Sequence, residues 1–197
     1  MKRWLLGLFA LGLMAAGAPL RAEEDTAIFA AGCFWCVEEA FDGVDGVVET
    51  TSGYTGGTVV NPTYRQVTRG RTGHVEALRV RFDPAVVTYE ALLEVFWRNV
   101  DPFDAGGQFC DRGSSYLSAI FVANPAQRAL AEASRARLAT DPRAPGELVT
   151  PIRDAAPFYE AEDYHQDYYR KNPARYKLYK TACGRPARLR ALWGDPS

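Results

Sequence analysis

Residues 26 to 41 place a short apolar segment, a glycine and a helical pattern in direct succession, which limits the folds open to this chain. The segment from Thr26 to Ala31 is apolar and has the length of a buried strand, and Gly32 follows it as a turn residue. From Cys33 to Phe41 the large apolar residues recur at helical spacing. The sequence therefore predicts a strand, a tight turn and a helix that begins at Cys33.

The alternation of strand and helix continues through the rest of the chain. Apolar runs and alternating patterns predict further strands at 47–52, 74–82, 116–123 and 148–152. Helical periodicity predicts helices at 88–100, 125–139 and 162–171. The turn-rich segment 53–64 is predicted to be a loop, and the residues after about 172 an irregular tail. This order admits a doubly wound parallel sheet or a two-layer plait, and periodicity alone does not choose between them.

The first 22 residues have the pattern of a secretory signal peptide. Lys2 and Arg3 are basic, an apolar stretch runs from Trp4 to Ala16, and small residues follow up to Ala22. We expect cleavage after Ala22, which leaves one domain at 23–197 in the periplasm or outside the cell; an uncleaved form is the alternative, because the cleavage site is imperfect. The apolar stretch is shorter than the roughly 20 residues that span a bilayer, so we expect no stable membrane anchor.

The charge of the chain gives no sign of a polyanionic partner. The formal net charge is −1 at pH 7, with 23 basic and 24 acidic side chains. A protein that binds nucleic acid usually carries a basic surface, and this balance indicates none. We therefore expect no nucleic-acid partner. We also expect the protein to be a monomer.

Export changes the interpretation of the four cysteines, Cys33, Cys36, Cys110 and Cys183, because disulfides form and persist outside the cytosol. A Cys33–Cys36 bridge would close a loop too short to stabilise the fold by chain entropy, which favours redox chemistry over a structural role. Cys33 also lies at a predicted helix N-terminus, where unpaired N–H groups favour the thiolate. Cys33 is therefore the candidate nucleophile.

Glu76 is the second candidate for chemistry. On the predicted strand it shares a face with Leu78, Val80 and Phe82, the more apolar of the two faces. Burial would raise the pKa of this carboxyl and turn it into a proton donor near neutral pH. The pattern leaves open the alternative that Glu76 lies at a solvated strand end.

Several ordered motifs resemble peptide methionine sulfoxide reductase type A. They are "GCFWCVE" at 32–38, "NPTY" at 61–64, "TGHVEAL" at 72–78, "FDP" at 82–84, "DP" at 101–102 and "DRGSSYLSAI" at 111–120. The similarity runs from about Ala27 to Tyr169. It implies an α+β two-layer plait (ferredoxin-like), with a central mixed sheet and helices packed on it. It also implies reduction of the S-epimer of methionine sulfoxide, free or in exported proteins, with no metal and no other cofactor.

The resemblance also implies roles for individual residues. Cys33 would attack the sulfoxide sulfur, and Glu76 would protonate the sulfoxide oxygen. The remaining positions would bind substrate: Phe34 and Trp35 around the S-methyl group, Tyr64 and Tyr116 as donors to the oxygen, and Asp111 at the polar end of the substrate or a water. A sulfoxide oxygen leaves only when it is protonated, so an acid beside a thiolate agrees with this assignment.

Attack would leave a sulfenic acid on Cys33, which condenses with a second thiol. We rank Cys183 slightly first as the resolving cysteine, because family members commonly resolve through a flexible tail, and Cys36 second, or a relay that uses both. Many family members carry glycine at position 36 and asparagine at position 110. Cys110 is therefore either a passive substitution or a further redox partner, and Leu117 replaces a frequent arginine.

Two other functions are compatible with the cysteines. An exported thioredoxin-like disulfide oxidoreductase would use Cys33 and Cys36 at a helix start. A structural zinc site would use the four cysteines with His74 or His165, although zinc sites usually show two paired ligand clusters and only one pair occurs here. For the reductase, the disulfide needs thioredoxin or an exported thioredoxin-like protein as its reductant.

Overall fold

A computed structural model describes residues 24–194 of the protein. Its elements in chain order are β1 (Asp25–Ala30), α1 (Phe34–Asp42), β2 (Val47–Thr55), α2 (Tyr64–Val67), β3 (Val75–Phe82), α3 (Tyr89–Arg98), β4 (Gly107–Gln108), β5 (Asp111–Arg112), a 3₁₀ turn (Ser114–Tyr116), β6 (Ala119–Val122), α4 (Pro125–Ala139), β7 (Ile152–Asp154), β8 (Tyr159–Glu160), α5 (Tyr168–Lys171), α6 (Pro173–Ala182) and α7 (Arg185–Trp193). The predicted signal peptide lies outside the described residues.

The centre of the molecule is a six-stranded sheet with the strand order β7-β6-β1-β3-β2-β8. β1 pairs antiparallel with β3 and with β6, and β2 pairs antiparallel with β3 and β8. Only the β6–β7 pair of this sheet is parallel. The sheet is therefore mixed, as the two-layer plait requires and the doubly wound parallel sheet does not.

Helices α1, α3 and α4 cover one face of the sheet and form the main core with it. The largest buried side chains in this core come from both layers: Phe29, Phe41, Leu78, Leu92, Phe96 and Ile120. Phe29 of β1 stacks on Phe41 of α1 at 5.2 Å and on Phe96 of α3 at 5.3 Å between ring centroids. Burial of such side chains stabilises the fold by about 1.5–3 kcal/mol each. This packing fixes α1, and with it Cys33, against the central strands.

The prediction of an irregular C-terminal tail is wrong. The segment after Asn172 forms α6 and α7, which begin with proline in their first turns and are separated by Gly184 at a φ of +75°. Neither helix has a strong apolar stripe. Polar contacts therefore add to the few side chains that these helices bury: the buried Arg185 donates to the carbonyl oxygens of Ala31 at 3.0 Å and Asn99 at 2.7 Å. Hydrophobic periodicity does not detect helices held in this way.

Four other elements have bounds that differ from the predictions. β2 extends to Thr55, into the predicted loop, and β7 starts at Ile152, where the predicted strand ends. Tyr116 belongs to a 3₁₀ turn and not to β6. The helix predicted at 162–171 is reduced to α5, because Asp167 has a φ of +54°, a left-handed conformation that an α-helix cannot contain.

None of the helices within residues 24–194 is both long enough and apolar enough to cross a membrane.

Candidate active site

The turn before α1 fixes the position of Cys33. Gly32 has a φ of +77°, and a Cβ atom on it would lie 2.5 Å from Cβ of Gln108, so only glycine fits. Cys33 then serves as the N-cap of α1, and its carbonyl accepts from the N–H of Cys36 at 3.1 Å. The predicted helix start is therefore confirmed.

Cys33 and Cys36 form one buried pair of free thiols. Their exposed fractions are 5% and 3%, and the two side chains are hydrogen-bonded to each other. Burial raises the pKa of Cys33 well above its ordinary value, and this outweighs the helix N-terminus that we expected to favour its thiolate. The hydrogen bond from Cys33 lowers the pKa of Cys36 to about 6, and the positive charges of Arg185 and Lys180 add to the effect. The thiolate form is therefore favoured on Cys36 over Cys33.

Glu76 is buried beside the same thiols. Its side chain is 2% exposed, and Oε2 accepts the main-chain N–H of Phe34 at 3.1 Å. Burial raises the pKa of Glu76 well above its ordinary value, and the negative charge of Asp111 adds to this, while the Phe34 N–H acts in the opposite direction. Of the two interpretations of the strand pattern, the structure bears out the desolvated carboxyl, whose neutral form is favoured by burial.

Tyr64 and Tyr116 lie next to each other and close to Glu76. Tyr64 is the first residue of α2, Tyr116 ends the 3₁₀ turn, and the two hydroxyls are hydrogen-bonded to each other. Burial raises the pKa of Tyr64 to about 12 and also raises that of Tyr116, and the charge on Glu76 acts in the same direction. Both phenols therefore keep their protons and can serve as donors.

Phe34 and Trp35 form an aromatic wall beside the thiols. Phe34 is buried and lies 6.0 Å from the ring of Tyr54. Trp35 is half-buried, and its indole stacks on Tyr168 of α5 at 3.7 Å between centroids with an interplanar angle of 8°. Its Nε1–H donates to Nδ1 of His165 at 3.1 Å. The two side chains are apolar, which is the chemistry that a pocket for a small alkyl group requires.

Asp111 lies at the other side of the thiol pair, where the C-terminal helices begin to cover it. Its Oδ2 accepts from the hydroxyl of Tyr179 on α6 at 2.5 Å, and Tyr179 is also hydrogen-bonded to Cys33. Burial raises the pKa of Asp111, although the hydrogen bond from Tyr179 opposes this. The predicted site residues therefore lie together, from Asp111 on one side to the Phe34 and Trp35 wall on the other.

Cys183 is not a free thiol in a mobile tail, as the sequence suggested. It forms a disulfide with Cys110 across 73 positions of sequence, and Cys110 is exposed. This bond joins the end of α6 to the β4–β5 turn next to Asp111. The two cysteine pairs are thus in different states, with the inner pair reduced and the outer pair oxidised.

A family model and the sequences of known proteins all match this chain to the same family. The family model described as peptide methionine sulfoxide reductase matches residues 25–197. Peptide methionine sulfoxide reductase MsrA 2 of Caulobacter vibrioides is 51% identical over 196 residues, which cover 98% of this chain and 99% of that protein. MsrA of Bacillus subtilis is 52% identical over 172 residues, which cover 87% of this chain and 97% of that protein. The chain belongs to the peptide methionine sulfoxide reductase family.

Solved structures of the family share the fold. Methionine sulfoxide reductase A of Corynebacterium diphtheriae superposes with a TM-score of 0.69 at 35% identity, over 80% of this chain and 77% of that one. The reduced form of Mxr1 from Saccharomyces cerevisiae superposes with a TM-score of 0.72 at 30% identity, over 77% of this chain and 87% of that one. Membership of this family confirms the predicted α+β fold and the oxidoreductase class, and it disfavours the thioredoxin-like alternative.

The zinc-site alternative is not supported by the arrangement of its proposed ligands. His74 accepts from the N–H of Gly57 and faces the carbonyl of Val59 at 2.8 Å, so both ring nitrogens are used. Within residues 24–194, three possible metal ligands come within 4.8 Å of one another only at Cys110, Asp111 and Cys183, where the two sulfurs are bonded to each other.

Sequence reasoning missed three aromatic residues that cover the thiols of this methionine sulfoxide reductase. Tyr176 and Tyr179 of α6 and Tyr168 of α5 pack against Cys33 and Cys36. The spacing of three residues between Tyr176 and Tyr179 places them on one helix face, which was the available signal. Because the residues after about 172 were expected to be irregular, this spacing was not interpreted as a helix face.

Proposed function

We propose that this protein reduces the S-epimer of methionine sulfoxide to methionine, with Cys33 as the nucleophile and Glu76 as the acid. The observation that carries the proposal is the bond from the Phe34 N–H to Glu76, which fixes a buried carboxyl of raised pKa beside the residue that follows Cys33. Aromatic side chains on one side and two phenols on the other complete a site for a small group with one apolar and one polar end.

The reaction starts with attack of the Cys33 sulfur on the sulfoxide sulfur. Attack forms a bond between the two sulfurs while Glu76 gives its proton to the sulfoxide oxygen, and the thiol proton of Cys33 returns the carboxyl to its neutral form. The substrate sulfur–oxygen bond then breaks and releases hydroxide. Addition of this hydroxide to the Cys33 sulfur breaks the sulfur–sulfur bond, which releases the thioether and leaves the sulfenic acid. Overall a thiol and a sulfoxide become a sulfenic acid on Cys33 and a thioether, so Cys33 is oxidised by two electrons and the substrate is reduced by two. An acid held in this position typically accelerates such a step by about 10²- to 10⁴-fold.

The other predicted residues bind and polarise the substrate. Tyr64 and Tyr116 are protonated donors close to Glu76, where they stabilise the charge that develops on the sulfoxide oxygen. Phe34 and Trp35 provide the apolar surface for the S-methyl group, and Asp111 binds the polar end of the substrate or a water.

Cys36 is the better candidate for the resolving step, although the sequence ranked Cys183 first. It is hydrogen-bonded to Cys33, and its lowered pKa supplies the thiolate that the step needs. Attack of Cys36 on the sulfenic sulfur of Cys33 gives the Cys33–Cys36 disulfide and releases the oxygen as water.

Cys183 acts in the next step, together with Cys110. In the reduced outer pair, the Cys183 thiolate attacks the Cys33–Cys36 disulfide, and Cys110 then displaces the inner thiol. This exchange leaves two thiols inside and the Cys110–Cys183 disulfide outside, the combination seen in the structure. A dithiol reductant, thioredoxin or an exported thioredoxin-like protein, reduces this outer disulfide at the exposed Cys110.

We also propose that the protein acts as a monomer after export, in the periplasm or outside the cell, on free methionine sulfoxide or on oxidised exported proteins. The pattern of residues 1–22 supports export. Mass spectrometry of protein recovered from the periplasm of an expressing cell tests it, and we expect an N-terminus at Glu23. Retention of the full chain in the cytosol would contradict export.

The first experiment is to measure reduction of the two separated methionine sulfoxide epimers with dithiothreitol, using wild-type protein and Cys33→Ser. We expect turnover of the S-epimer alone, abolished by the substitution. Reduction of insulin disulfides without turnover of either epimer would transfer the assignment to the thioredoxin-like alternative.

A further inference from the structure

The residues next to the outer cysteines, Cys110 and Cys183, contact each other directly. Phe109 precedes Cys110, and Arg185 lies two positions after Cys183. The guanidinium carbon of Arg185 lies 4.2 Å from the centre of the Phe109 ring, within the distance of a cation–π contact. A non-covalent contact therefore joins the same two segments of the chain as the disulfide does.

Arg185 is held in place by groups that do not belong to the disulfide. The residue is 2% exposed, and its guanidinium donates to the carbonyl oxygens of Ala31 and Asn99. The negative face of the Phe109 ring adds to the stabilisation of this buried charge. Because none of these contacts involves a sulfur atom, we expect Arg185 to keep its position when the outer pair is reduced.

Phe109 has an unfavourable backbone conformation directly before Cys110. Its φ of +56° lies in the left-handed region, which bulky residues rarely adopt. The chain before it is fixed, because the buried Gln108 is hydrogen-bonded to the main chain of Asp101 at 2.7 and 2.8 Å. The N–H of Cys110, on the other side, donates to Sγ of Cys183 at 3.1 Å. The strained residue therefore lies where the two outer cysteines meet.

We propose that Phe109 is a positioning residue, whose contact with Arg185 keeps Cys110 next to Cys183 in the reduced outer pair and so favours transfer of the disulfide from the inner to the outer pair. The proposal rests on the proposed function of the outer pair. Transfer breaks the Cys33–Cys36 bond and forms the Cys110–Cys183 bond. Two electrons and two thiol protons pass from the outer pair to the inner pair.

The direction of the effect follows from the chemistry of exchange. The number of disulfides does not change, so the equilibrium depends on how well each pair of sulfurs is held together. A contact that persists in the reduced state raises the effective concentration of one outer thiol at the other. The contact between Phe109 and Arg185 therefore makes the outer disulfide harder to reduce.

Three substitutions separate this contact from ordinary packing. Phe109→Leu removes the ring but keeps an apolar side chain without a branch at Cβ, so the backbone strain stays similar. Phe109→Tyr keeps the ring. Phe103→Leu is the matched control, because the ring of Phe103 lies in the same loop region and pairs with Trp193, at 6.4 Å between centroids. Phe109→Met takes the place of Phe109→Leu if that variant does not fold.

The first measurement is the reduction potential of the outer pair, which does not depend on activity. Each variant is combined with Cys33→Ser and Cys36→Ser, so that only Cys110 and Cys183 can form a disulfide, and is equilibrated in glutathione redox buffers before alkylation and mass spectrometry. We expect Phe109→Leu to lower the equilibrium constant for the disulfide about two- to fivefold, the range of one cation–π contact. Phe109→Tyr and Phe103→Leu should match the parent protein. Equal constants for Phe109→Leu and the parent, or an equal loss in Phe103→Leu, would overturn the proposal.

The second measurement uses the chain with all four cysteines. Fully reduced protein is treated with one equivalent of methionine S-sulfoxide without reductant, and the disulfide-linked peptides are quantified. In Phe109→Leu the ratio of outer to inner disulfide should fall by the same factor, while methionine forms at the wild-type rate. An unchanged ratio would contradict the proposal. Wild-type protein that turns over neither epimer would instead remove the proposed function, and the glutathione measurement would still decide whether the contact holds the outer pair together.

Discussion

The main-chain N–H of Phe34 donates to Oε2 of Glu76 over 3.1 Å, so the buried carboxyl is tied to the first turn of the helix that begins after Cys33. This bond joins two elements that are 42 residues apart in sequence. The packing of α1 on the sheet therefore also sets the position of the acid relative to the nucleophile.

Glu76→Gln should lower the rate of the first step while substrate still binds. Glutamine keeps the size of the side chain and a carbonyl oxygen for the Phe34 N–H but has no acidic proton, so we expect a loss of about 10²- to 10⁴-fold. Single-turnover formation of methionine under reducing conditions measures this rate. In wild type the rate should also fall as pH rises through the raised pKa of Glu76. A variant rate within a few-fold of wild type would contradict the role of Glu76 as the acid.

The same substitution should change the pH dependence of stability. In the unfolded chain Glu76 ionises near its ordinary pKa of about 4.3, whereas burial in the folded protein keeps it protonated to higher pH. The folded state binds the proton more tightly, so the wild-type free energy of unfolding falls as pH rises from the unfolded towards the folded pKa. Glutamine cannot ionise, and the Tm of Glu76→Gln relative to wild type should therefore be greater at about pH 8 than at about pH 5. A difference that does not vary with pH would argue against a buried, protonated Glu76.

Cys110→Ser should destabilise the protein under oxidising conditions only. The disulfide to Cys183 joins positions 73 residues apart and holds α6 over the thiols, so its loss is expected to cost about 2–4 kcal/mol. Cys110 is exposed, and serine should have little effect of its own. Urea unfolding with and without dithiothreitol measures the difference, which should disappear when wild type is also reduced. Equal free energies of unfolding for wild type and Cys110→Ser without reductant would mean that the Cys110–Cys183 disulfide does not contribute to stability.

The residues that sequence reasoning located correctly are those whose surroundings are local. Gly32 and Cys33 follow a strand directly, and the position of Glu76 on an apolar face follows from alternation along one strand. Periods of two and 3.6 residues report such features because each depends on neighbouring positions.

The features that sequence reasoning missed depend on contacts between distant parts of the chain. Four cysteines allow three pairings, and sequence spacing did not select Cys110 with Cys183. The bond from Trp35 to His165 spans 130 positions, and burial of Cys33 under Tyr179 requires a helix that has no strong apolar stripe. The raised pKa of Cys33 was not predicted for the same reason. The sequence shows the helix N-terminus at Cys33 but does not show which residues bury its thiol.

Gly32→Ala should destabilise the fold more than an ordinary surface substitution. The φ of +77° is unfavourable for alanine, and the new Cβ would lie 2.5 Å from Cβ of Gln108. Gln108 cannot move away without loss of its hydrogen bonds to the main chain of Asp101, at 2.7 and 2.8 Å. We expect a loss of about 1–3 kcal/mol in the free energy of unfolding. Gly146→Ala is the matched control, because a Cβ there meets nothing within 4 Å; equal effects of the two substitutions would contradict this reasoning.

Cys36→Ser and Cys183→Ser should stop the catalytic cycle at different steps. Cys36 is hydrogen-bonded to Cys33, so its loss should leave the sulfenic acid of Cys33 unresolved after one turnover, where dimedone can trap it. In Cys183→Ser the Cys33–Cys36 disulfide should still form, and only its reduction by a thioredoxin-like protein should become slow. Mass spectrometry of the trapped adduct and of disulfide-linked peptides after one turnover distinguishes the two outcomes. A Cys33–Cys183 disulfide and full turnover in Cys36→Ser would show instead that the C-terminal cysteine resolves the sulfenic acid directly.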